Sequence, residues 1–242
     1  MADFGGWQRP NKIRRSAYEK PKFGRKTITI SVGTDNPQKF RAHEGLLCEH
    51  SGFFKAALGR AWKEGNERKV LLPEDRPEVF ELFFCFIYSG RLYLKDRTQD
   101  YVDDDGDCRD VEYHKIGHAW LLADKLQSCT MKDALTDCLA NKVMSEECVP
   151  TGMHRQLHEG ASNTAGLKRM LVDFAVRYWD DDSFEEYDIG NSPGSFTQDL
   201  LAALARGRQK GRAGQERPWE NEDCYYHDHG EEEACYKTMF SY

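Results

Sequence analysis

Residues 40–54 read Phe40-Arg-Ala-His43-Glu-Gly-Leu-Leu47-Cys-Glu-His-Ser51-Gly-Phe53-Phe54, and this stretch decides the fold. A short strand ends in its first four residues. A helical stretch follows around Leu46 and Leu47, and Ser51 stands where the N-cap of a second helix carrying Phe53, Phe54, Ala57 and Leu58 is expected. Upstream, Thr27 to Val32 reads TITISV, the polar and apolar alternation of a half-buried strand, with Gly33 to Pro37 as its turn. Downstream, Lys69 to Leu72 reads as a third strand. A helix then buries Val79, Phe80, Phe83, Phe84 and Ile87 on one stripe and stops at Ser89-Gly90. Asp75 and Glu78 have capping-box spacing at its start, with Pro77 in the first turn.

Further out, the acidic stretch Asp96 to Glu112 has little to bury and reads as a solvated loop insertion. Ile116 to Leu126 and Met131 to Val143 read as two helices, Leu167 to Tyr178 as another, and a last one starts at Ser195, with Phe196, Leu200 and Leu204 on one face. Few strands mixed with many helices give an α+β fold, a small sheet under a helical cluster.

In order and spacing, Phe40-x-x-His43-x-x-x-Leu47-x-x-x-Ser51-x-Phe53-Phe54, then Val70-x-Leu72, Pro77-x-Val79-Phe80 and Phe86-Ile87-Tyr88-Ser89-Gly90 resemble the BTB/POZ family. Leu121-Leu122-Ala123-Asp124-Lys125-Leu126 is similar to a later helix of that family, and the wording is most like its filamentous-fungal members. The resemblance covers residues 27–146. It implies a BTB/POZ fold, a small mixed β-sheet capped by α-helices, that works as a protein-protein interaction module, self-associating as a homodimer and recruiting partners. Residues 1–26 then read as a disordered basic arm, 147–205 as a helical C-terminal extension and 206–242 as a polar, acidic Cys/His tail.

Composition narrows the function. The 242 residues carry 34 Lys+Arg against 41 Asp+Glu, and no apolar run approaches the roughly 20 residues of a membrane span. Eight cysteines are too sparse for a disulfide scaffold, which suits a reducing compartment, cytoplasmic or nuclear. No nucleophile elbow, phosphate loop, dinucleotide fingerprint or HExxH is present, so the chain is not expected to be an enzyme. Acidic residues at 103–105 and 180–182 are adjacent in loops and suit neither acid nor base catalysis. Cys48, Cys85, Cys129 and Cys138 fall within apolar helices, where a thiol acts as a small hydrophobe.

Two constellations carry more specific expectations. Trp62-Lys63-Glu64 resembles the hydrophobic-x-Glu motif of cullin-binding family members, which implies a substrate adaptor for a cullin-type ubiquitin ligase. Trp62 would bury apolar area and Glu64 would fix orientation. Cys224-x-x-His227-x-His229-x5-Cys235 places two thiols and two imidazoles within twelve residues, the ligand types of a tetrahedral zinc site, with Asp223, Asp228 and Glu231 as nearby acceptors. Without metal, residues 214–242 are expected to be largely disordered, apart from an aromatic cluster around Tyr225, Tyr226, Tyr236 and Phe240. Basic residues at 1–26 and at Arg206, Arg208, Lys210 and Arg212 admit a nuclear scaffold as the alternative, but with overall acidity and no DNA-binding module, nucleic acid is not an expected partner.

Overall fold

The computed structural model describes residues 23–59, 68–95, 101–102, 108–109, 111–146, 149–150, 152–160, 166–179, 184, 192–210, 218–220, 224–230 and 232–239. β1 (Thr27–Val32) pairs antiparallel with β2 (Gln38–His43) and parallel with β3 (Lys69–Leu72), giving the order β2-β1-β3. Alternation along β1 turns Ile28, Ile30 and Val32 into the core. Gly33 takes the positive φ that the turn after β1 needs, and its N–H donates to the Leu72 carbonyl at 3.0 Å, joining that turn to the end of β3.

Helices α1 (Glu44–His50) and α2 (Gly52–Leu58) flank Ser51. The Ser51 hydroxyl accepts from the Phe54 N–H at 3.2 Å, as an N-cap does, and donates to the Leu126 carbonyl at 2.6 Å. One buried side chain therefore starts a helix and holds it to the far side of the core. Ser51→Ala is expected to cost about 1 kcal/mol, read as a lower denaturant midpoint with unchanged slope.

Helix α3 (Pro77–Ser89) ends as read, with Gly90 left-handed at φ 66° and its N–H donating to the Phe86 carbonyl at 2.7 Å. Its start differs. Arg76, not Asp75, holds the N-cap position and, having no acceptor, makes no side-chain cap, while the Asp75 carboxylate accepts from Lys125 Nζ at 2.8 Å. The partner of Asp75 is thus fifty residues away rather than in the first turn of the helix.

α4 (Val111–Lys125) and α5 (Cys129–Glu146) form a helical pair broken at Gln127, which has φ 53°. Within the acidic stretch, β4 (Tyr101–Val102) and β5 (Cys108–Arg109) pair antiparallel, so part of the expected loop is a small ladder. Then follow α6 (Met153–Gly160), α7 (Gly166–Tyr178), α8 (Gly194–Lys210), a 3-10 turn (Pro218–Glu220) and α9 (Tyr236–Met239). Arg206 to Lys210, expected to begin the polar tail, are the last turns of α8, and Ala203 rather than Leu204 completes its buried stripe with Phe196 and Leu200. Leu204 is partly exposed.

One hydrophobic cluster runs from the sheet through Phe54, Phe80 and Phe83 to Trp120 and Leu135, and on to Leu171 and Phe174. Trp219 and Tyr226, from the polar C-terminal stretch, belong to it. A smaller cluster lies between α7 and α8 around Phe196. No helix among the described residues is long and apolar enough to cross a membrane.

Candidate functional site

The C-terminal stretch is held on α5 and α7 by a polar network. Asp228 is its hub. Its carboxylate takes Lys132 Nζ at 3.1 Å and the Gly166 N–H at 2.7 Å, while its own N–H donates to Asp133 Oδ1 at 2.7 Å. Lys132 also meets Asp124 at 3.0 Å and lies over the Trp120 ring. Burial works against its ammonium, but Asp228 and Asp124 more than offset this, so its pKa stands above the ordinary value. Tyr226 donates to Asp173 at 2.7 Å, and the Arg169 guanidinium donates to the Tyr225 carbonyl at 3.1 Å.

Beside this hub, the ligand atoms of Cys224, His227, His229 and Cys235 converge to within 4.8 Å of one another. His227 is buried, and His229 and Cys235 are half-buried. His227 Nε2 lies 3.1 Å from Asp137 Oδ1 on α5, whose other oxygen accepts from the Tyr236 hydroxyl and from Lys237. Burial raises the Asp137 carboxyl, but the hydrogen bonds from His227, Tyr236 and Lys237 outweigh it and hold the pKa low. Asp133 receives fewer such bonds, and burial leaves its carboxyl above the usual range.

These contacts correct the expectation about acceptors. Asp228 faces Lys132 and Gly166, and the carboxylate on His227 is Asp137, ninety residues away in sequence. Asp223 and Glu231 lie outside the described residues, as do Trp62, Glu64 and the acidic residues at 103–105 and 180–182. The signal for Asp137 was in α5 itself: Lys132-Asp133 and Thr136-Asp137 interrupt its apolar set at helical spacing, and Lys132, Asp133 and Thr136 are all buried.

The signature residues form a structural corner. His43 Nδ1 lies 2.8 Å from the Tyr88 hydroxyl, which also accepts the His43 N–H at 3.0 Å, so the end of β2 is tied to the end of α3. Phe40 packs on Phe80 and Phe84, while Leu47 and Phe54 are fully enclosed and Phe53 lies edge-on to Phe54. Cys48, Cys85, Cys129 and Cys138 are half-buried free thiols, and burial together with Asp137 and Glu112 pushes Cys138 up to about 11.

Comparison with known proteins agrees with this corner. The family model described as BTB/POZ domain matches residues 23–107, which contain β1 to β3, α1 to α3 and the resembling residues from Phe40 to Gly90, while Leu121 to Leu126 lie beyond the match. The chain carries a BTB/POZ domain. Two of the similar proteins carry BTB or POZ in their names. Armadillo BTB Arabidopsis protein 1 of Arabidopsis thaliana is 44% identical over 57 residues, covering 24% of this chain and 8% of that protein. A TD and POZ domain-containing protein 1-like of Mus musculus is 24% identical over 119 residues, covering 42% of this chain and 33% of that protein. The chain thus spans a third or less of these relatives' length.

The BTB/POZ domain is a protein-protein interaction module, and its surface offers an open groove between α3 and α4. Val79, Leu82 and the exposed Tyr93 give it an apolar floor, and Arg76, Glu81 and Lys115 give it a charged rim. Among the described residues the sheet is open too: β3 is an edge strand, and its Leu71 is exposed.

Proposed function

We propose that the chain is an adaptor whose BTB/POZ domain self-associates and recruits partner proteins, a cullin-type ubiquitin-ligase scaffold among them. The observation that carries this reading is the groove between α3 and α4, an apolar floor within a charged rim. That layout suits the apolar face of a partner helix, with the rim setting orientation. Trp62 and Glu64, between α2 and β3 in sequence, supply the hydrophobic-x-Glu element in this reading. Sheet edges that no described strand pairs, together with the exposed Leu71, support self-association by offering edge backbone and apolar surface to a second copy.

Two measurements test it. Light scattering on the purified chain is expected to give particles of twice the 27.9 kDa chain mass; only single-chain particles at micromolar concentration would remove self-association. In affinity purification, the unaltered chain is expected to recover a cullin, and Trp62→Ala with Glu64→Ala to lose it. Equal cullin recovery by the two chains would remove the role of this motif.

A further inference from the structure

In each histidine of the C-terminal cluster the ring nitrogen facing away from it is already engaged. His227 Nε2 lies against the Asp137 carboxylate, and His229 Nδ1 lies 3.0 Å from the Gly230 carbonyl. Carboxylates and carbonyls only accept, so the protons sit on these outer nitrogens. The inner nitrogens, His227 Nδ1 and His229 Nε2, therefore present lone pairs to each other at 3.4 Å, with Cys235 Sγ 3.5 Å from His227 Nδ1. In neutral rings facing lone pairs repel, and either a shared proton, the Cys235 S–H or a metal cation between them relieves this; a metal alone engages both nitrogens and both sulfurs at once. A tetrahedral Zn²⁺, with Zn–N near 2.05 Å and Zn–S near 2.3 Å, sets N···N at about 3.3 Å and N···S at about 3.6 Å. The 3.4 Å N···N and 3.5 Å N···S spacings match those edges, and all four ligand atoms lie within 4.8 Å of one another.

We propose that Cys224, His227, His229 and Cys235 hold a structural Zn²⁺ that fastens the C-terminal segment to α5 and α7. Two thiolates and two imidazoles are a soft donor set suited to zinc, and four protein ligands leave no open position for a substrate. On binding, the two thiols release their protons to solvent as two Zn–S bonds form. Asp137 acts as a positioning residue, holding His227 in the ligating tautomer and linking the ion to α5. Asp228, between the two histidines, carries the same restraint to Lys132 and Gly166. This inference stands independently of the adaptor reading, since every ligand lies outside residues 23–107.

The test is metal content and uptake by the full-length chain. Elemental analysis and native mass spectrometry are expected to show one Zn²⁺ per chain, and Co²⁺ in its place to give the visible bands of a tetrahedral thiolate site. Cys224→Ser with Cys235→Ser is expected to abolish binding, while Cys85→Ser, on α3, keeps it. Asp137→Asn is expected to keep one ion but weaken it about 10- to 100-fold in competition with a chromophoric chelator. Removing the ion is expected to raise amide exchange over residues 224–239 and leave β1 to β3 unchanged. Three results would overturn the site: a chain that neither contains nor takes up Zn²⁺, zinc retained by the double Ser variant, or a reduced chain that takes up none and an oxidised one lighter by two hydrogens through a Cys224–Cys235 disulfide.

Discussion

Gly166→Ala is expected to undock the C-terminal segment while leaving the BTB/POZ sheet folded. Gly166 opens α7, and a Cβ there would lie 1.7 Å from the Tyr226 carbonyl oxygen, 2.5 Å from its carbon and 3.1 Å from its Cα. All three are backbone atoms, so no side-chain rotation relieves the clash. The segment has to withdraw, and its contacts fail together. The Gly166 N–H loses Asp228, Lys132 keeps Asp124 alone, and the Tyr226 hydroxyl leaves Asp173. Overpacking of about 1–3 kcal/mol plus the loss of charge-assisted hydrogen bonds places the total at about 3 kcal/mol or more. Hydrogen exchange and limited proteolysis over residues 218–239 should show the release, with β1 to β3 still protected. Gly194→Ala is the control, since a Cβ there meets nothing within 4 Å. Unchanged protection of the segment in Gly166→Ala would contradict the close approach of Tyr226 to α7.

That dependence on a backbone contact explains why the docking was illegible in the sequence while the domain was not. The BTB/POZ part is written in local patterns. The alternation in β1, the Ser51 cap and the Gly90 stop each need only neighbours within four residues, and each appears where expected. The convergence of the four candidate residues was equally legible, because Cys224 to Cys235 lie together on the chain. What holds them was not. Asp133, Asp137 and Gly166 act across 62 to 95 residues on Asp228 and His227, and nothing in the tail names them. Asp75 shows the same limit from the other side: capping-box spacing was satisfied locally, yet Lys125 offers its carboxylate a full charge, which a backbone N–H cannot.

The helical extension is expected to lose stability as pH falls from about 6.5 to 4, through His154 and His158 on α6. Both imidazoles are pushed down to about 4, first by burial, then by Arg155 and His158 for the one and by Lys168 for the other, with Asp199 opposing at His158. The geometry explains the direction. His154 is stacked on Phe196, edge-on to Trp179, with Nε2 3.1 Å from the Ser192 hydroxyl and Nδ1 buried with no hydrogen-bond partner among the described residues. His158 uses Nδ1 on Ser195, and its Nε2 likewise has no partner among the described residues. A protonated ring needs acceptors at both nitrogens, and neither site supplies the second. Below pH 6.5 the unfolded chain binds a proton that the folded chain refuses until about pH 4. Protons therefore favour unfolding across that window, and the dependence flattens below it. For His154 the full effect is about 3 kcal/mol as an upper bound, and the more exposed His158 adds less. Carboxylates titrate in the same range, so the decisive quantity is a difference: denaturation midpoints from pH 7 to 4, compared between the unaltered chain and His154→Asn with His158→Asn. The variant is expected to be less stable at pH 7 and to lose less on acidification. Parallel pH profiles for the two chains would show that these imidazoles charge freely in the folded state.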